Sequence, residues 1–434
     1  MEQKRNLLDT PPTPCHDAAM NDQRRQSLSA PRGPIRTSGD PAKCEALKTT
    51  FNTVKDTDWR EDIHGFHSYP GRMHPAVPRV LLRTLSGEGL RVLDPFCGSG
   101  TTLVEAMAAG HQGIGADIHP LAVRIARIKC SHWSEEELQR LLTILHVVGE
   151  SALEKASTKA KTTSSRRPHP KERDWFQPHI RYELANLMEG LAEVEWSRGH
   201  DALEMILSSM LVKVSNRRSD SSGRIERKQL ARGFTSQFFM RRGEELVEQL
   251  ALFGQRLPEG ARSPKIRIGD ARTLEGVGDG SVHVVVTSPP YPGTYDYLHH
   301  QTIRAGVLGI KTGRADQGEI GSRRGAQRDP RRAAGQFRQD LGDCLAAMNN
   351  ALVPDGQAIL VLGNSTLGGR EMSNHALVEE LAGPTGFELV AMGSQEVHRQ
   401  APPGQKRPPL LREEQILWLQ RVGTPRGRPS SHRR

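Results

Sequence analysis

The sequence lacks any long apolar segment. None of its 434 residues lies in a run that approaches the ~18 consecutive apolar residues of a membrane-spanning helix. The first residues, MEQKRNLLDTPPTPCHDAAM, carry charge but no apolar core, which argues against a secretory signal. We therefore expect a protein without a membrane span, long enough to bury a main domain and an appended one.

Cysteine is scarce, and the few cysteines are scattered. The five residues are an odd number and contain no CxxC pair: Cys15, Cys44, Cys97, Cys130 and Cys344. This pattern fits a reducing cytoplasm and predicts neither a disulfide framework nor a zinc site. We expect no metal.

Aromatic residues are also few, at 5% of the chain, yet three of the five tyrosines fall in TSPPYPGTYDY, residues 287–297. This stretch follows SVHVVV, a run that predicts a buried strand. Its prolines cannot extend the ladder of a sheet, because proline has no backbone N–H to donate. Such a rigid, aromatic corner is poor material for a core and marks a candidate functional site.

Acidic residues do not balance the basic ones, and the formal net charge is +10. The excess gathers in four blocks, namely SSRRPHPKER, SNRRSDSSGRIERKQLARG, GSRRGAQRDPRRAAGQFRQ and PRGRPSSHRR. Clustering of this kind favours a polyanionic partner, most often nucleic acid. A solvated basic surface is the alternative.

The apolar pattern predicts an α/β architecture with a mainly parallel sheet. Seven runs predict strands, at residues 91–96, 112–118, 265–271, 282–288, 357–365, 387–397 and 414–422. Helices are predicted at 101–110, 120–129 and 337–352.

The remaining composition divides the chain into segments. Residues 1–50 are rich in Pro, Arg, Ser and Thr without hydrophobic period, which predicts a disordered tail, and residues 424–434 predict a disordered basic tail. Residues 132–255 carry helical periodicity and basic loops. They predict a helical insertion for nucleic-acid recognition, which divides the α/β domain into 51–131 and 256–423.

The stretch VLDPFCGSGTTLVEA, residues 92–106, places an acid at a strand end and then a glycine-rich turn that opens a helix. Gly98 and Gly100 allow the backbone to approach a ligand, and the helix N-terminus offers free amide donors. Leu103 stands where a nicotinamide-type fingerprint needs its third glycine, and no Walker lysine is present. A tight connection without a ligand is the alternative.

Two further acids follow the next strands of the predicted sheet. Asp117 ends the run QGIGAD and is placed to accept both hydroxyls of a ribose, while Asp270 ends KIRIGD and could accept from the exocyclic amine of an adenine. With Asp94, three acids lie along the carboxyl edge of the sheet, where such folds bind ligands. Together they indicate a nucleoside cofactor without a pyrophosphate.

DPFCGSGTT, GADIHP and SPPY together resemble the motifs of the amino-methyltransferases of DNA, which use S-adenosylmethionine to methylate exocyclic amines of bases. SPPY is most similar to the cytosine-N4 branch, since the adenine-N6 branch more often carries DPPY or NPPY. YPGRMHPAVPRVLLRTL, residues 69–85, resembles the family's element that closes over the methionine end of the cofactor. The resemblance covers residues 64–130 and 265–422 and implies a Rossmann-like class I methyltransferase fold with seven strands.

The resemblance also implies the site. In this sequence Ser288 and the carbonyl of Pro289 would accept hydrogen bonds from the target amine, and Tyr291, after Pro290, would stack on the flipped base. The implied cofactor residues are Tyr69, His74, Asp94, Pro95, Phe96, Cys97, Gly98, Ser99, Gly100, Thr101, Thr102, Asp117, Ile118, Asp270 and Ala271. The candidate nucleic-acid contacts are Tyr295, Tyr297, Arg217, Arg218, Arg323 and Arg324. Tyr295 and Tyr297 either shape the base pocket or pack under the loop.

The predicted function is therefore S-adenosylmethionine-dependent methylation of cytosine N4 in double-stranded DNA, with the target base flipped out. An RNA base N-methyltransferase, acting on tRNA or rRNA, is the first alternative, and adenine-N6 methylation of DNA is the second. A catalytically idle cofactor-binding regulator is disfavoured because SPPY is intact. A separately encoded restriction endonuclease as partner stays open.

Overall fold

The computed structural model describes residues 33–56, 62–158, 168–218, 225–293, 296–367, 370–398 and 411–424. Its strands are β1 (Arg36–Gly39), β2 (Arg91–Asp94), β3 (Gln112–Asp117), β4 (Lys265–Ile268), β5 (Val282–Thr287), β6 (Leu352–Gly363), β7 (Ser365–Leu367), β8 (Arg370–Met372), β9 (Phe387–His398) and β10 (Leu411–Arg421). Its helices are α1 (Pro41–Asp56), α2 (Ala76–Thr84), α3 (Thr101–Ala108), α4 (Pro120–Lys129), α5 (Glu135–Thr158), α6 (Glu172–Trp175), α7 (Pro178–Ala192), α8 (Ser197–Val214), α9 (Phe234–Gln255), α10 (Tyr297–His300), α11 (Thr302–Leu308), α12 (Gly313–Gly318), α13 (Arg323–Arg328), α14 (Pro330–Ala351) and α15 (Asn374–Ala382). Two 3₁₀ turns lie at Ile63–Gly65 and Gly383–Thr385.

The main sheet has the strand order β1-β9-β10-β6-β5-β2-β3-β4. Strands β6, β5, β2, β3 and β4 run parallel, whereas β10, β9 and β1 join antiparallel. The predicted α/β class with a mostly parallel sheet is confirmed, and each of the seven predicted strands is present. The sheet has eight strands rather than seven, because β1 pairs along the outer edge of β9.

The prediction of a disordered tail is wrong for residues 36–50. Their composition resembles that of the residues before them, but Cys44, Leu47, Phe51 and Val54 recur at helical spacing and are buried. This face of α1 packs against β9 and α2, as one side of the core behind the sheet. The rest of the predicted tail, residues 1–32, lies outside the described residues, as do residues 425–434.

Helices α5 to α9 occupy the described part of residues 132–255. Their apolar faces join those of α3 and α4 in one continuous cluster, which includes Leu103, Ile125, Leu145, Leu207 and Phe239. Helices α5 to α9 therefore share a core with α3, which begins at the end of the glycine loop, and with α4. Within the described ranges, no helix combines the length and apolar character needed to cross a lipid bilayer.

A buried ion network fastens α3 to its surroundings. Glu105 is only 2% exposed and accepts hydrogen bonds from the guanidinium of Arg79 at 2.8 Å, and its Oε1 lies 2.7 Å from Nε2 of His64. Arg256, at the end of α9, lies 3.4 Å from both carboxylate oxygens. Burial alone would raise the pKa of Glu105, but the bonds from Arg79 and His64 outweigh it and hold that pKa well below its usual range.

Candidate active site

A cavity opens at the carboxyl edge of the parallel strands, where β2, β3, β4 and β5 end. It is lined by residues 69–73, 94–99, 101–102, 117–119, 269–271, 288, 290, 297–298 and 318–320. Every predicted cofactor residue lines this cavity except His74 and Gly100. Of the predicted catalytic and nucleic-acid-binding residues, it also includes Ser288, Pro290 and Tyr297.

Asp117 holds the glycine loop in place from the end of β3. Its Oδ2 accepts the backbone N–H of Gly98 at 2.9 Å, and its Oδ1 accepts that of His119 at 2.8 Å. Burial raises the pKa of Asp117 to about 6, against these two hydrogen bonds. Each carboxylate oxygen has a second lone pair, so the group can still accept two hydroxyls from a ligand.

Asp94 joins the glycine loop to the strand that precedes SPPY. Its Oδ1 accepts the hydroxyl of Thr287 at 2.6 Å and the backbone N–H of Phe96 at 3.1 Å. Burial raises the pKa of Asp94 to about 6. Thr287 is the last residue of β5, so this hydrogen bond fixes the backbone immediately before Ser288.

Asp270 lies just after β4 and is already paired. Its carboxylate accepts three hydrogen bonds from the side chain of Arg272, the shortest at 2.6 Å, and Arg272 also contacts Asp340 at 2.9 Å. The hydrogen bonds that Arg272 donates to Asp270 raise the pKa of Arg272 above its ordinary value. Asp270 therefore meets the cavity as half of an ion pair, which the sequence did not reveal.

The residues of the glycine loop fit a polar nucleoside ligand. Ser99 is only 2% exposed, and its hydroxyl has no hydrogen-bond partner among the described residues. An unpaired buried hydroxyl costs free energy, and a ligand in this cavity could satisfy it. Gly98 has φ +49°, and a Cβ there would lie 3.3 Å from the ring of Tyr69. A side chain at this position would crowd the ring that forms the opposite wall.

Two predicted cofactor residues, His74 and Gly100, do not line the cavity and contact the scaffold. Nδ1 of His74 accepts the backbone N–H of Ala76 at 3.2 Å, at the start of α2. Gly100 has φ +84°, and a Cβ there would lie 3.0 Å from Cβ of Ala126 and 3.1 Å from Sγ of Cys130, both on the α4 side. Gly100 is therefore required for the close approach of α3 and α4, which sequence spacing alone cannot distinguish from ligand contact.

SPPY is divided between the cavity and the sheet. Ser288 and Pro290 line the cavity, whereas Pro289 and Tyr291 do not. The hydroxyl of Tyr291 donates to the carbonyl of Val361 at 3.4 Å, and its ring lies beside Gly363 on β6. The ring is half-buried and packs against the core under the sheet, so this structure does not place it in the cavity as a stacking face.

Tyr297 forms a wall of the cavity, while Tyr295 lies outside the described residues. The hydroxyl of Tyr297 reaches Gly71, where an added Cβ would lie only 2.7 Å away. Its backbone N–H donates to Oε1 of Glu319 at 2.7 Å. Glu319 lines the cavity, and it was not predicted from the sequence because it lies just before the basic block GSRRGAQRDPRRAAGQFRQ and belongs to no motif.

The predicted phosphate contacts lie outside the cavity. Arg323 and Arg324 are exposed on α13, and Nε of Arg324 lies 3.8 Å from Asp296. Arg217 and the exposed Arg218 follow α8. Burial lowers the pKa of His299, and the positive charges of Arg324 and Arg217 lower it further. The charges of both basic segments therefore act on His299, two residues beyond Tyr297.

Known proteins are similar to the part of the chain that carries the glycine loop and Asp117. Residues 16–127 match a family model described as DNA methylase. The type II methyltransferase M.MjaII of Methanocaldococcus jannaschii is 34% identical over 92 residues, which cover 21% of this chain and 17% of that protein. This part of the chain is therefore similar to the DNA amino-methyltransferase family.

The chain is also similar to a curated tRNA methyltransferase and to a solved structure. The tRNA (guanine(10)-N2)-dimethyltransferase of Methanothermobacter thermautotrophicus is 43% identical over 67 residues, covering 15% of this chain and 20% of that protein. The solved structure of TrmN from Thermus thermophilus aligns with a TM-score of 0.31 at 13% identity, over 81% of this chain and 49% of that one. The chain thus spans a fifth or less of the two curated relatives it matches here. The cofactor of this methyltransferase family is S-adenosylmethionine, which fits the donors and acceptors of the cavity.

Proposed function

We propose that the protein is an S-adenosylmethionine-dependent methyltransferase that acts on the N4 amine of cytosine in double-stranded DNA. The observation that carries the proposal is that Ser288 of SPPY lines the same cavity as Asp94 and Asp117. When bound, S-adenosylmethionine supplies an electrophilic methyl group. Asp117 would hold the ribose hydroxyls, and the hydroxyl of Ser99 would gain the partner that it lacks.

The chain must orient an amine that is a poor nucleophile, because its lone pair is delocalised into the base. In the proposal, Ser288 Oγ and the carbonyl of Pro289 accept the two amine hydrogens and favour a more tetrahedral nitrogen. Pro290 contributes no N–H that could compete for these acceptors. The hydrogen bond from Thr287 to Asp94 fixes the backbone just before Ser288, which keeps this geometry in register with the glycine loop.

The serine of SPPY supports cytosine N4 over adenine N6, and the product decides between them. DNA treated with the purified protein should yield N4-methylcytosine on hydrolysis, without N6-methyladenine or C5-methylcytosine. The similarity to a tRNA (guanine-N2) enzyme favours an RNA base as the second candidate. Methylated RNA together with unmodified DNA would establish that candidate instead.

Replacing Ser288 by alanine should lower kcat more than DNA affinity. The lost hydrogen bond is strongest as the nitrogen becomes tetrahedral, so we expect a decrease in kcat of roughly tenfold to hundredfold. Single-turnover methyl transfer from labelled S-adenosylmethionine measures it. The affinity for the cofactor, whose acids follow other strands, should stay unchanged. A wild-type rate in this variant would reduce SPPY to a rigid strand end.

Replacing Arg217 and Arg218 together by alanine should weaken the salt dependence of DNA binding. If both contact phosphates, the slope of log affinity against log salt becomes shallower by up to about 1.8, from about 0.9 per contact. Fluorescence anisotropy over a salt series measures this slope. Lys43 and Lys48, on α1 at the opposite edge of the sheet, give the matched double variant, which should retain the wild-type slope. Equal slopes in all three proteins would make this loop an ordinary solvated surface.

A further inference from the structure

A carboxyl group outside the recognised motifs faces the cavity. Glu319 lies between Gly318 and Ile320, and all three residues line the same cavity as Ser288 and Pro290. Glu319 is partly exposed there, although its Oε1 accepts the backbone N–H of Tyr297 at 2.7 Å. No motif accounts for an acid at this position.

The segment that carries Glu319 is fixed on both sides. On the cofactor side, the carbonyl of Gly318 accepts from Arg272 at 3.4 Å, and a Cβ on Gly318 would collide with Ile118 at 2.2 Å. On the SPPY side, the carbonyl of Gly321 accepts the N–H of Gly293 at 3.0 Å. Glu319 is thus mounted between the glycine-loop side of the cavity and the turn that follows SPPY, as preorganised recognition requires.

A second acid, Asp296, joins the segment that carries Glu319 to the segment that follows SPPY, and it does not line the cavity. Asp296 accepts the hydroxyl of Ser322 and the backbone N–H of Arg324, each at 3.2 Å, and so ties the two segments together. Asp296 does not line the cavity, whereas Glu319 does. Asp296 therefore only holds the loop, whereas Glu319 both holds it and faces the cavity.

The charge of Glu319 acts on Tyr69, one of the predicted cofactor residues. The pKa of the Tyr69 phenol is raised well above its ordinary value by burial first, and the charges of Asp117 and Glu319 both add to it. Tyr69 therefore has the ribose-side acid and Glu319 within electrostatic reach. Burial also raises the pKa of Glu319 itself, despite the N–H of Tyr297, so its carboxyl stays protonated to a higher pH than that of an ordinary glutamate.

We propose that Glu319 is a specificity-determining residue, whose carboxyl group donates a hydrogen bond to the ring nitrogen beside the target amine. This inference rests on the proposed function. In cytosine the ring nitrogen N3 is an acceptor, so only a protonated carboxyl can pair with it, whereas guanine presents an N–H that requires a carboxylate. The protonation state of one side chain would therefore select between the two kinds of base.

The proposal predicts a pH profile that a purely structural residue would not give. Donation requires the acid form, so kcat/KM should be highest below the pKa of Glu319 and fall as the pH rises through it. Glu319→Gln keeps a carbonyl oxygen for the N–H of Tyr297 and supplies a permanent N–H donor for N3. This variant should therefore lose that decline while it remains folded and active.

The decisive test pairs protein variants with a modified base. An oligonucleotide is made from the site that the wild-type protein methylates, with 3-deazacytosine in place of the target cytosine, which exchanges N3 for a C–H. We expect the modification to lower wild-type kcat/KM by roughly tenfold to hundredfold, and Glu319→Ala to cause a similar loss on ordinary cytosine. The two losses should not add, since both remove one contact.

The matched control is Asp296→Ala, which loosens the same loop pair from a carboxylate outside the cavity. It should keep the full wild-type sensitivity to 3-deazacytosine, whatever it does to thermal stability. Additive losses in Glu319→Ala, or the same loss of base sensitivity in Asp296→Ala, would leave Glu319 as a loop tie only. Methylation of guanine by the wild-type protein would overturn the donor role. A wild-type protein that methylates no DNA at all would instead overturn the proposed function.

Discussion

Replacing Asp117 by alanine should lower the affinity for S-adenosylmethionine by roughly 3–6 kcal/mol, at about 1.5–3 kcal/mol for each of two hydrogen bonds to a charged acceptor. The structure adds a second reason for a large loss. The same carboxylate anchors the backbone of Gly98 and His119, so its removal also releases the loop that lines the cavity. Isothermal titration calorimetry measures the dissociation constant directly.

The pH dependence of binding provides an internal check on Asp117. Its pKa of about 6 means that the accepting, ionised form predominates above that pH. Affinity for the cofactor should therefore hold above pH 6 and decline as the pH falls through it, and Asp117→Ala should lack this decline. Ser288→Ala is the control that keeps wild-type affinity. Unchanged affinity in the Asp117 variant would remove that residue from the cofactor site.

Replacing Glu105 by alanine should destabilise the fold by about 3–5 kcal/mol, because it leaves partly buried cations without their counter-ion. Arg79 loses both of its 2.8 Å hydrogen bonds and His64 loses a buried partner. Chemical denaturation followed by circular dichroism gives the free energy of unfolding. Arg338 forms an ion pair with Glu380 on the surface, and Arg338→Ala should leave the unfolding midpoint where it is.

An acid titration tests the same ion network, because the pKa shift of Glu105 predicts the direction in which stability changes with pH. The pKa of Glu105 is depressed in the folded protein, so its contribution is complete above the ordinary value of 4.5 and is lost as the pH falls toward the depressed pKa. The wild-type protein should lose this part of its stability in acid, and Glu105→Ala should have none of it to lose. Parallel acid-unfolding curves would contradict the assigned network.

The strands could be predicted because the middle of the sheet is covered on both faces. VHVVVT of β5 is a nearly continuous apolar run, and its strand character depends on no particular neighbour. β1 is the opposite case, since RTSG is mostly exposed and becomes a strand only by pairing with β9. Nothing in the sequence of β1 indicates that it pairs with β9. The local sequence pattern therefore predicts central strands but not an edge strand such as β1.

The site divides along the same line. Asp94 and Asp117 follow from topology, because parallel strands deliver their carboxyl ends to one edge. The direction of a side chain after a turn depends on distant contacts, which is why Tyr291 lies against β6 instead of in the cavity. The position of Glu319 in the cavity could not be predicted from the sequence for a related reason. Its position depends on hydrogen bonds to segments tens of residues away, and nothing in EIGSRR records them.

The position of helices α5 to α9 in the sequence determines which parts of the fold can form first during synthesis. The backbone N–H of Arg91, at the start of β2, donates to His283 of β5, 192 positions later. At a synthesis rate of about 5–20 residues per second, β2 and its glycine loop wait roughly 10–40 s for that neighbour. Helices α5 to α9 emerge within this interval and cover the apolar faces of α3 and α4. The apolar faces of α3 and α4 can therefore be covered before the ribosome has synthesised the remaining strands of the sheet.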